Sequence, residues 1–556
     1  MKFSKIFKTT AVSLGAVVAL SGCIRETFPK ESTITEGQLQ AGQMEVVAEN
    51  LLKGIPAGML TYISGWEHTD YGYPSVGVYN DHACKLMTTN GWLLGLPEGY
   101  NRFYVAQYAN GYGPQSVMGA HVWYNYYPVI KSCNDILGVV GDREDMKAYA
   151  GIAHTFRALL YLDLARIFEC LYAEAPLNAM YESQQIKVAG LTVPIVDEST
   201  DEQSAKNNPR ATREEMFKFI LADLAFAEEA LANYTPTSYN MPDLSVVYGL
   251  YARTYLWLGG FEDGLSGELP EGNDAYAKAA EYAALAIQAH GGAIMTENEW
   301  TNPRTGFNTM ASSWMWALVQ STDTVINNLF QHSAHMCPEA AYGYGPLAQP
   351  GVNKKSYERL SDTDFRKKII IGPDTEWADF QPYTLITEDE FASFAPYTFF
   401  KYRPGQGERN DYMVAGATTI PLMRCEEMYF IEMEAIYHTQ GLDAAWEKLV
   451  QFMENRDASY VCKTADVLDE IIFQKGIEFW GEGLLMFDMK RLDMGVNTGY
   501  EGCNYAANAR YNSEGRLPWW TMCIPQAETQ VNLALEDMNN PDPTLALKRW
   551  QAVEQQ

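Results

Sequence analysis

Along much of this chain apolar residues recur every three or four positions, and that spacing predicts helices. The clearest runs from Asp142 to about Ala173, where Met146, Tyr149, Ala150, Ala153, Leu160, Tyr161, Leu164 and Phe168 share one face of a 3.6-residue period. Asp142, after Gly141, is placed to cap it. Arg157 falls on that apolar face, so it must snorkel or pair with a carboxylate, and it reads as a structural ion-pair residue. Thr212–Leu231 is a second amphipathic helix, opened by a capping box of Thr212 and Glu215. Leu244–Gly259 and Asp274–Gly291 read as a helical pair. Ala252, Tyr255, Leu258 and Gly259 in one, with Tyr276, Ala279, Ala283 and Ala286 in the other, alternate small and large as in tetratricopeptide repeats. Pro421–Gly441 and Leu442–Asn455 form another such pair, with Ala435, Gly441 and Ala444 at comparable places. The insertion between Gly259 and Asp274 breaks the usual repeat length, so these repeats are degenerate.

Elsewhere the helical period fails. Gly54–Gly113, Gly291–Gly351 and Gly372–Thr419 are rich in Gly, Pro, Tyr and Trp, with strand-like pieces such as Tyr397–Tyr402. Loops this long are usually functional. The expected fold class is therefore mainly α. A tetratricopeptide-like scaffold of helical pairs, about 117–291 and 420–495, carries loop-rich regions at about 54–113 and 291–419.

The amino terminus has another pattern. Lys2, Lys5 and Lys8 precede the small and apolar run Ala11–Leu20, and Leu20-Ser-Gly-Cys23 follows. A basic start, a short apolar run and small residues make an export signal. The run is too short to span a bilayer. The cysteine placed after Leu-Ser-Gly makes it a lipobox. The expected division is a signal over 1–22, a lipidated tether over 23–40 beginning at Cys23, and a single body over 41–556. The tether is polar, and fatty-acyl chains on Cys23 would anchor it to the membrane.

Composition narrows the class. With 47% hydrophobic and 20% charged residues the chain is globular. A net charge of −29 argues against nucleic acid as a partner. Apart from Cys23, the cysteines are Cys84, Cys133, Cys170, Cys337, Cys425, Cys462, Cys503 and Cys523, and none forms a C-x-x-C pair. Several lie in apolar helical patterns and read as buried thiols; an exported location leaves disulfides open.

No catalytic constellation emerges. His332-x-x-His335 lacks the glutamate of a zinc-protease helix. There is no G-x-S-x-G elbow and no Walker loop, and Gly405-Gln-Gly407 reads as a turn. Glu426, Glu427, Glu432 and Glu434 lie on a scaffold helix, where ion pairing or a solvated face suits them better than acid–base work. No catalytic residue, metal or cofactor is expected.

The ordered motifs resemble the SusD/RagB-like lipoproteins of Bacteroidetes. His154-Thr-Phe-Arg-Ala-Leu-Leu-Tyr-Leu-Asp-Leu-Ala-Arg-Ile-Phe168 is similar to that family's Arg-Ala-x-x-Tyr-x-x-Leu helix, and Val193-Pro-Ile-Val-Asp-Glu-Ser-Thr200 to the segment after it. Pro209-Arg210, Thr212 and Asp223-Leu224 fit the next helix. Lys401-Tyr402, Arg424, Glu427 and Glu434-Ala435 resemble the family's Lys-Tyr strand and following helix. Glu478-Phe479, Glu482-Gly483, Asp488 and Arg491 match a later helix; Ile524-Pro525, Glu528, Asn532 and Asn540-Pro541 match the C-terminal signature. Gln474-Lys475 stands where the family usually has Glu-Arg, and Leu485 where it has Arg. The resemblance implies a helical scaffold with a less regular ligand-binding face. It also implies attachment to the outer membrane and a SusC-like TonB-dependent transporter as partner. Substrates of the family are usually oligosaccharides, sometimes peptides.

The aromatic residues point the same way. From Tyr62 to Tyr127, 15 of 66 residues are Trp, Tyr or Phe, against 13% of the whole chain. A compact core would favour Leu, Ile and Val, whereas rigid rings in Gly-rich loops suit stacking on a sugar. The candidate ligand contacts are Trp66, Tyr71, Tyr73, Trp92 and Tyr100, with Trp300, Trp314, Tyr342 and Tyr344 as a second group. The expected function is capture of oligosaccharides for the transporter. The alternatives are a peptide binder of the RagB type and a helical glycoside hydrolase.

Overall fold

The computed structural model describes residues 41–62, 70–89, 113–171, 179–261, 267–325, 327–461, 465–543 and 553. The signal, Cys23 and the tether lie outside the described residues. The chain divides into two compact units, Met1–Asn50 and Leu51–Gln556. Of the first, residues 41–50 are described, as the opening of a helix, α1 (Ala41–Met59).

The second unit is mainly helical. Its longer elements are α2 (Tyr73–Ala83), β1 (Met87–Thr88), α3 (Val117–Val140), α4 (Lys147–Phe168), α5 (Arg213–Leu231), α6 (Leu244–Gly259) and α7 (Gly272–His290). Then come β2 (Trp314–Val319), β3 (Gly351–Val352), β4 (Thr419–Arg424), α8 (Cys425–Gln440), α9 (Leu442–Met453), α10 (Val467–Glu478) and α11 (Leu485–Arg491). From α3 to α9 each helix packs on the next in sequence, and α10 packs on α8. Among the described residues, no helix is long and apolar enough to cross a membrane.

The helices with an amphipathic stripe stand where their periods place them. The capping box of α5 forms: the Glu215 amide donates to Thr212 Oγ1, and the Thr212 amide to Glu215 Oε2 at 2.8 Å. The pairing of α6 with α7 depends on small residues. A Cβ on Gly259 would come within 2.6 Å of the Tyr276 ring, so only glycine admits this approach. Helix α4 begins later than Asp142, at Lys147, after a 3-10 turn over Glu144–Met146. Here Asp142 is exposed and Met146 holds the cap position, without a side-chain hydrogen bond.

Two expectations from periodicity are corrected. The stretch from 54 to 113 contains the end of α1 and all of α2. Helix α2 is buried on nearly every side, polar residues Asn80, Asp81 and His82 included, so it shows no amphipathic stripe. Pro421 does not open a helix; it lies in β4, which pairs antiparallel with β2 (Ala317 opposite Pro421, Val319 opposite Thr419). The register shifts between Trp316 and Ala317, and the Ala317 amide bonds instead to the Tyr239 carbonyl at 3.1 Å. A proline, lacking an amide hydrogen, fits such an irregularity. Trp314-Met-Trp-Ala-Leu is buried on both faces, so no alternation betrays the strand.

Cys84, Cys133, Cys170, Cys337, Cys425, Cys503 and Cys523 are buried free thiols. Cys462 lies outside the described residues.

Candidate functional site

The motif residues of the sequence build the interior. Glu478 is a fully buried hub for three arginines. Arg456 donates to both of its oxygens at 3.0 Å, and Arg366 and Arg424 to one each at 3.1 Å. Burial alone would raise this carboxyl, but Arg456, Arg424 and Arg366 hold it well below the ordinary carboxylate range. Lys401 Nζ donates to the Glu478 and Trp480 carbonyls at 2.9 and 2.8 Å and to Glu482 at 2.7 Å. Arg157 meets Asp223 through two hydrogen bonds of 2.8 and 2.7 Å and reaches Glu198 and Asn134, so of its two expected solutions it takes the carboxylate pair. Arg253 grips Glu427 twice at 2.6 Å. Glu434 pairs with Arg491, Glu426 with Arg424 and Arg456, and the half-buried Glu432 with Lys448. Lys475, at one of the departures from the family pattern, still makes an ion pair, 2.7 Å from Asp488. Distant motifs also knit together: Arg210 donates to Asn540, which donates to the Phe168 carbonyl.

Helix α2 is locked to this interior. Asp81 Oδ2 accepts from the Gly481 amide at 2.6 Å and the Gly483 amide at 3.3 Å. Burial pushes its carboxyl up to about 8. Beside it lies a cavity of about 50 Å³ lined by Tyr73, Asn80, Asp163, Arg253, His332 and Glu482, with space for a few water molecules.

The structure separates the candidate aromatics. Trp66, Trp92 and Tyr100 lie outside the described residues. Tyr73 donates to Asp163 at 2.6 Å and faces the small cavity. Trp300 and Trp314 are core residues, 0% and 1% exposed, each packed on Phe307; they offer no ring face to a ligand. Their loops are aromatic because a second stretch of core runs through them. Tyr71, Tyr342 and Tyr344, by contrast, gather around the short helix His332–Met336. Tyr71 stacks on His335 at 4.7 Å, and Tyr344 tilts against the same ring at 5.3 Å. Both are buried; burial, with His335 and Lys401 nearby, pushes His332 down to about 3, so that imidazole is neutral at neutral pH.

Around that helix the structure adds aromatic residues that composition did not single out. Tyr62 stacks on Phe330 with centroids 4.4 Å apart and planes 16° from parallel. Tyr342 meets Tyr412 at 6.3 Å, edge to face, and its hydroxyl lies 3.0 Å from Ser333 Oγ. Tyr412 is 36% exposed and Met413 44%. Tyr62, Phe330 and Tyr342 are half-buried, the exposure of a ring with one side open. Tyr62 opens the aromatic-rich stretch, which was the legible signal; Phe330 and Tyr412 are isolated in sequence and left none.

Residues 405–418 form a strap over this site. The Ala341 amide donates to the Arg409 carbonyl at 2.8 Å, and Arg409 donates to the Glu339 carbonyl at 2.7 Å. Between those points and Thr419, the turn Tyr412–Ala415 is capped by Asp411 and buries only Ala415. Among the described residues, no group of His, Cys, Asp and Glu is arranged to hold a metal ion.

Residues 98–256 match the SusD-like family described as starch-binding and associating with the outer membrane. Solved SusD-like structures share its fold. A SusD-like carbohydrate-binding protein from Bacteroides vulgatus is 19% identical, with a TM-score of 0.66 over 89% of this chain and 97% of that one. A putative sugar-binding protein from the same species is 20% identical, with a TM-score of 0.60 over 88% and 97%. A SusD superfamily protein from Bacteroides thetaiotaomicron is 17% identical, with a TM-score of 0.62 over 89% and 99%. No curated protein matches the sequence.

Proposed function

We propose that this SusD-like protein binds oligosaccharides at the outer membrane and delivers them to a SusC-like TonB-dependent transporter, without chemistry of its own. The observation that carries the reading is the set of part-exposed rings, Tyr62, Phe330, Tyr342 and Tyr412, around the helix at 332–336. Such rings stack on the apolar face of a sugar without needing charge, and a rigid ring loses little entropy in doing so. The acids of α8 fit a binder too, because they are engaged in ion pairs.

The test is a panel of soluble glycans (maltoheptaose, xylohexaose, mannohexaose and arabinohexaose) and a peptide library against the purified protein. Replacing both Tyr342 and Tyr412 by alanine should weaken glycan binding by about tenfold or more, the loss expected from one or two stacking contacts. Both rings are part-exposed, so the loss of stability should be smaller than for a fully buried aromatic, and urea unfolding run alongside separates it from the loss of binding. Binding to peptides alone would favour the RagB-type alternative. Turnover of a bound glycan would favour the hydrolase.

In this reading Cys23 carries the lipid and residues 24–40 are the leash that holds the binding face at high effective concentration near the transporter. Cys23→Ala should move the protein from the membrane fraction to the soluble one. Retention in the membrane fraction would contradict the lipobox.

A further inference from the structure

Gln331 stands between the two aromatic pairs, next to Phe330 and two residues before Ser333. Its side chain is 1% exposed, and neither its amide oxygen nor its amide nitrogen has a hydrogen-bond partner. Buried amides are nearly always satisfied, so an orphaned one calls for an explanation. What covers it is the strap. A Cβ on Gly416 would overlap Gln331 Oε1 and crowd its amide carbon. Gly416 has an ordinary helical backbone, φ −79°, so it is glycine for proximity, not for conformation. The strap thus lies directly on the unsatisfied acceptor of this amide. Arg409 anchors one end through Glu339, Leu385 and Glu390, but past it Asn410, Asp411, Tyr412 and Met413 are all exposed. Segments with few buried contacts open at low cost.

We infer that Gln331 is a specificity residue for a pair of neighbouring hydroxyl groups on a sugar ring, reached when residues 410–416 lift away from the anchor at Arg409. A primary amide sets one acceptor beside two donors. A vicinal diol offers the complement: one hydroxyl donates to Oε1 while the oxygen of its neighbour accepts from Nε2. Tyr342, which lies outside the lifting segment, would hold the ring's apolar face while Gln331 reads its edge. Peptide backbone and apolar ligands lack this paired hydroxyl edge. The inference rests on the glycan-binding reading above and deepens it.

Gln331→Leu tests it, because leucine has nearly the same bulk and removes both orphaned atoms. A polar group without a partner is replaced by an apolar one at no loss, or at a gain, in stability. The expected result is an unfolding temperature equal to or above that of the unsubstituted protein. Affinity for the panel glycan that binds best should fall about tenfold or more, as when a hydrogen-bonded pair is lost. Hydrogen–deuterium exchange on the unsubstituted protein with that glycan should change at 327–344 and 410–416 together, which keeps the test open if Gln331→Leu does not fold. Unchanged affinity in Gln331→Leu, lost stability in step with lost affinity, or unchanged exchange at 410–416 would each overturn the inference. If the Tyr342 and Tyr412 substitutions weaken binding while Gln331→Leu does not, the inference falls and the glycan-binding reading stands. If no glycan of the panel binds the unsubstituted protein, both fall.

Discussion

Glu478→Ala is expected to destabilise the protein by about 3–5 kcal/mol, the cost of breaking a buried ion pair from one side. Glu478 is 0% exposed, and so are Arg366, Arg424 and Arg456 around it. Removing the carboxylate leaves three guanidinium groups close together and short of a counter-charge. Asp364 still faces Arg366, and Glu426 still faces Arg424 and Arg456, so the loss is partial. Urea unfolding measures it; a change under 1 kcal/mol would mean that the network contributes specificity without stability. Glu478→Gln adds a pH signature. The folded-state carboxyl lies below its unfolded value of about 4.3, so its contribution is complete above that pH and is lost as pH falls below it. The glutamine variant should therefore be less stable than the unsubstituted protein at neutral pH, and the gap should narrow below about pH 4.

The same network explains how much of the fold could be read from sequence. Arg157 announced itself because a charge on an apolar helical face has few solutions, and Asp223 and Glu198 supply the expected one. The capping box at Thr212 was legible because its two hydrogen bonds are local. Helix α2 was not, because burial on every side erases the period that marks a surface helix. Strand β2 was hidden for a related reason: both of its faces are covered. At the candidate site the composition marked the region but not the residues. Aromatic enrichment cannot tell a ring that packs from a ring that binds, and the stretches that hold Tyr342 also hold Trp300. Gln331 had no signal at all, since an unsatisfied amide is a property of three-dimensional surroundings.

That ambiguity between packing and binding can be resolved at Trp300. Trp300→Ala is expected to cost ~3–5 kcal/mol, the range for emptying a large buried aromatic site. Its ring meets Phe307 at 4.7 Å and Phe365 at 6.3 Å, and Lys401 Nζ lies 5.2 Å from the ring centre. The cavity left behind would border the Glu478 network, since Lys401 also donates to the Glu478 carbonyl. Trp300→Ala and Glu478→Ala share that neighbour, so their costs should not add, and the double variant measures the coupling. Glycan affinity should separate from stability here. Below the unfolding transition Trp300→Ala should bind as the unsubstituted protein does, whereas the Tyr342 and Tyr412 substitutions should cost less stability than Trp300→Ala and weaken binding. Weaker binding by a fully folded Trp300→Ala protein would instead return that ring to the ligand-contacting set, and with it the loop from 291 to 313.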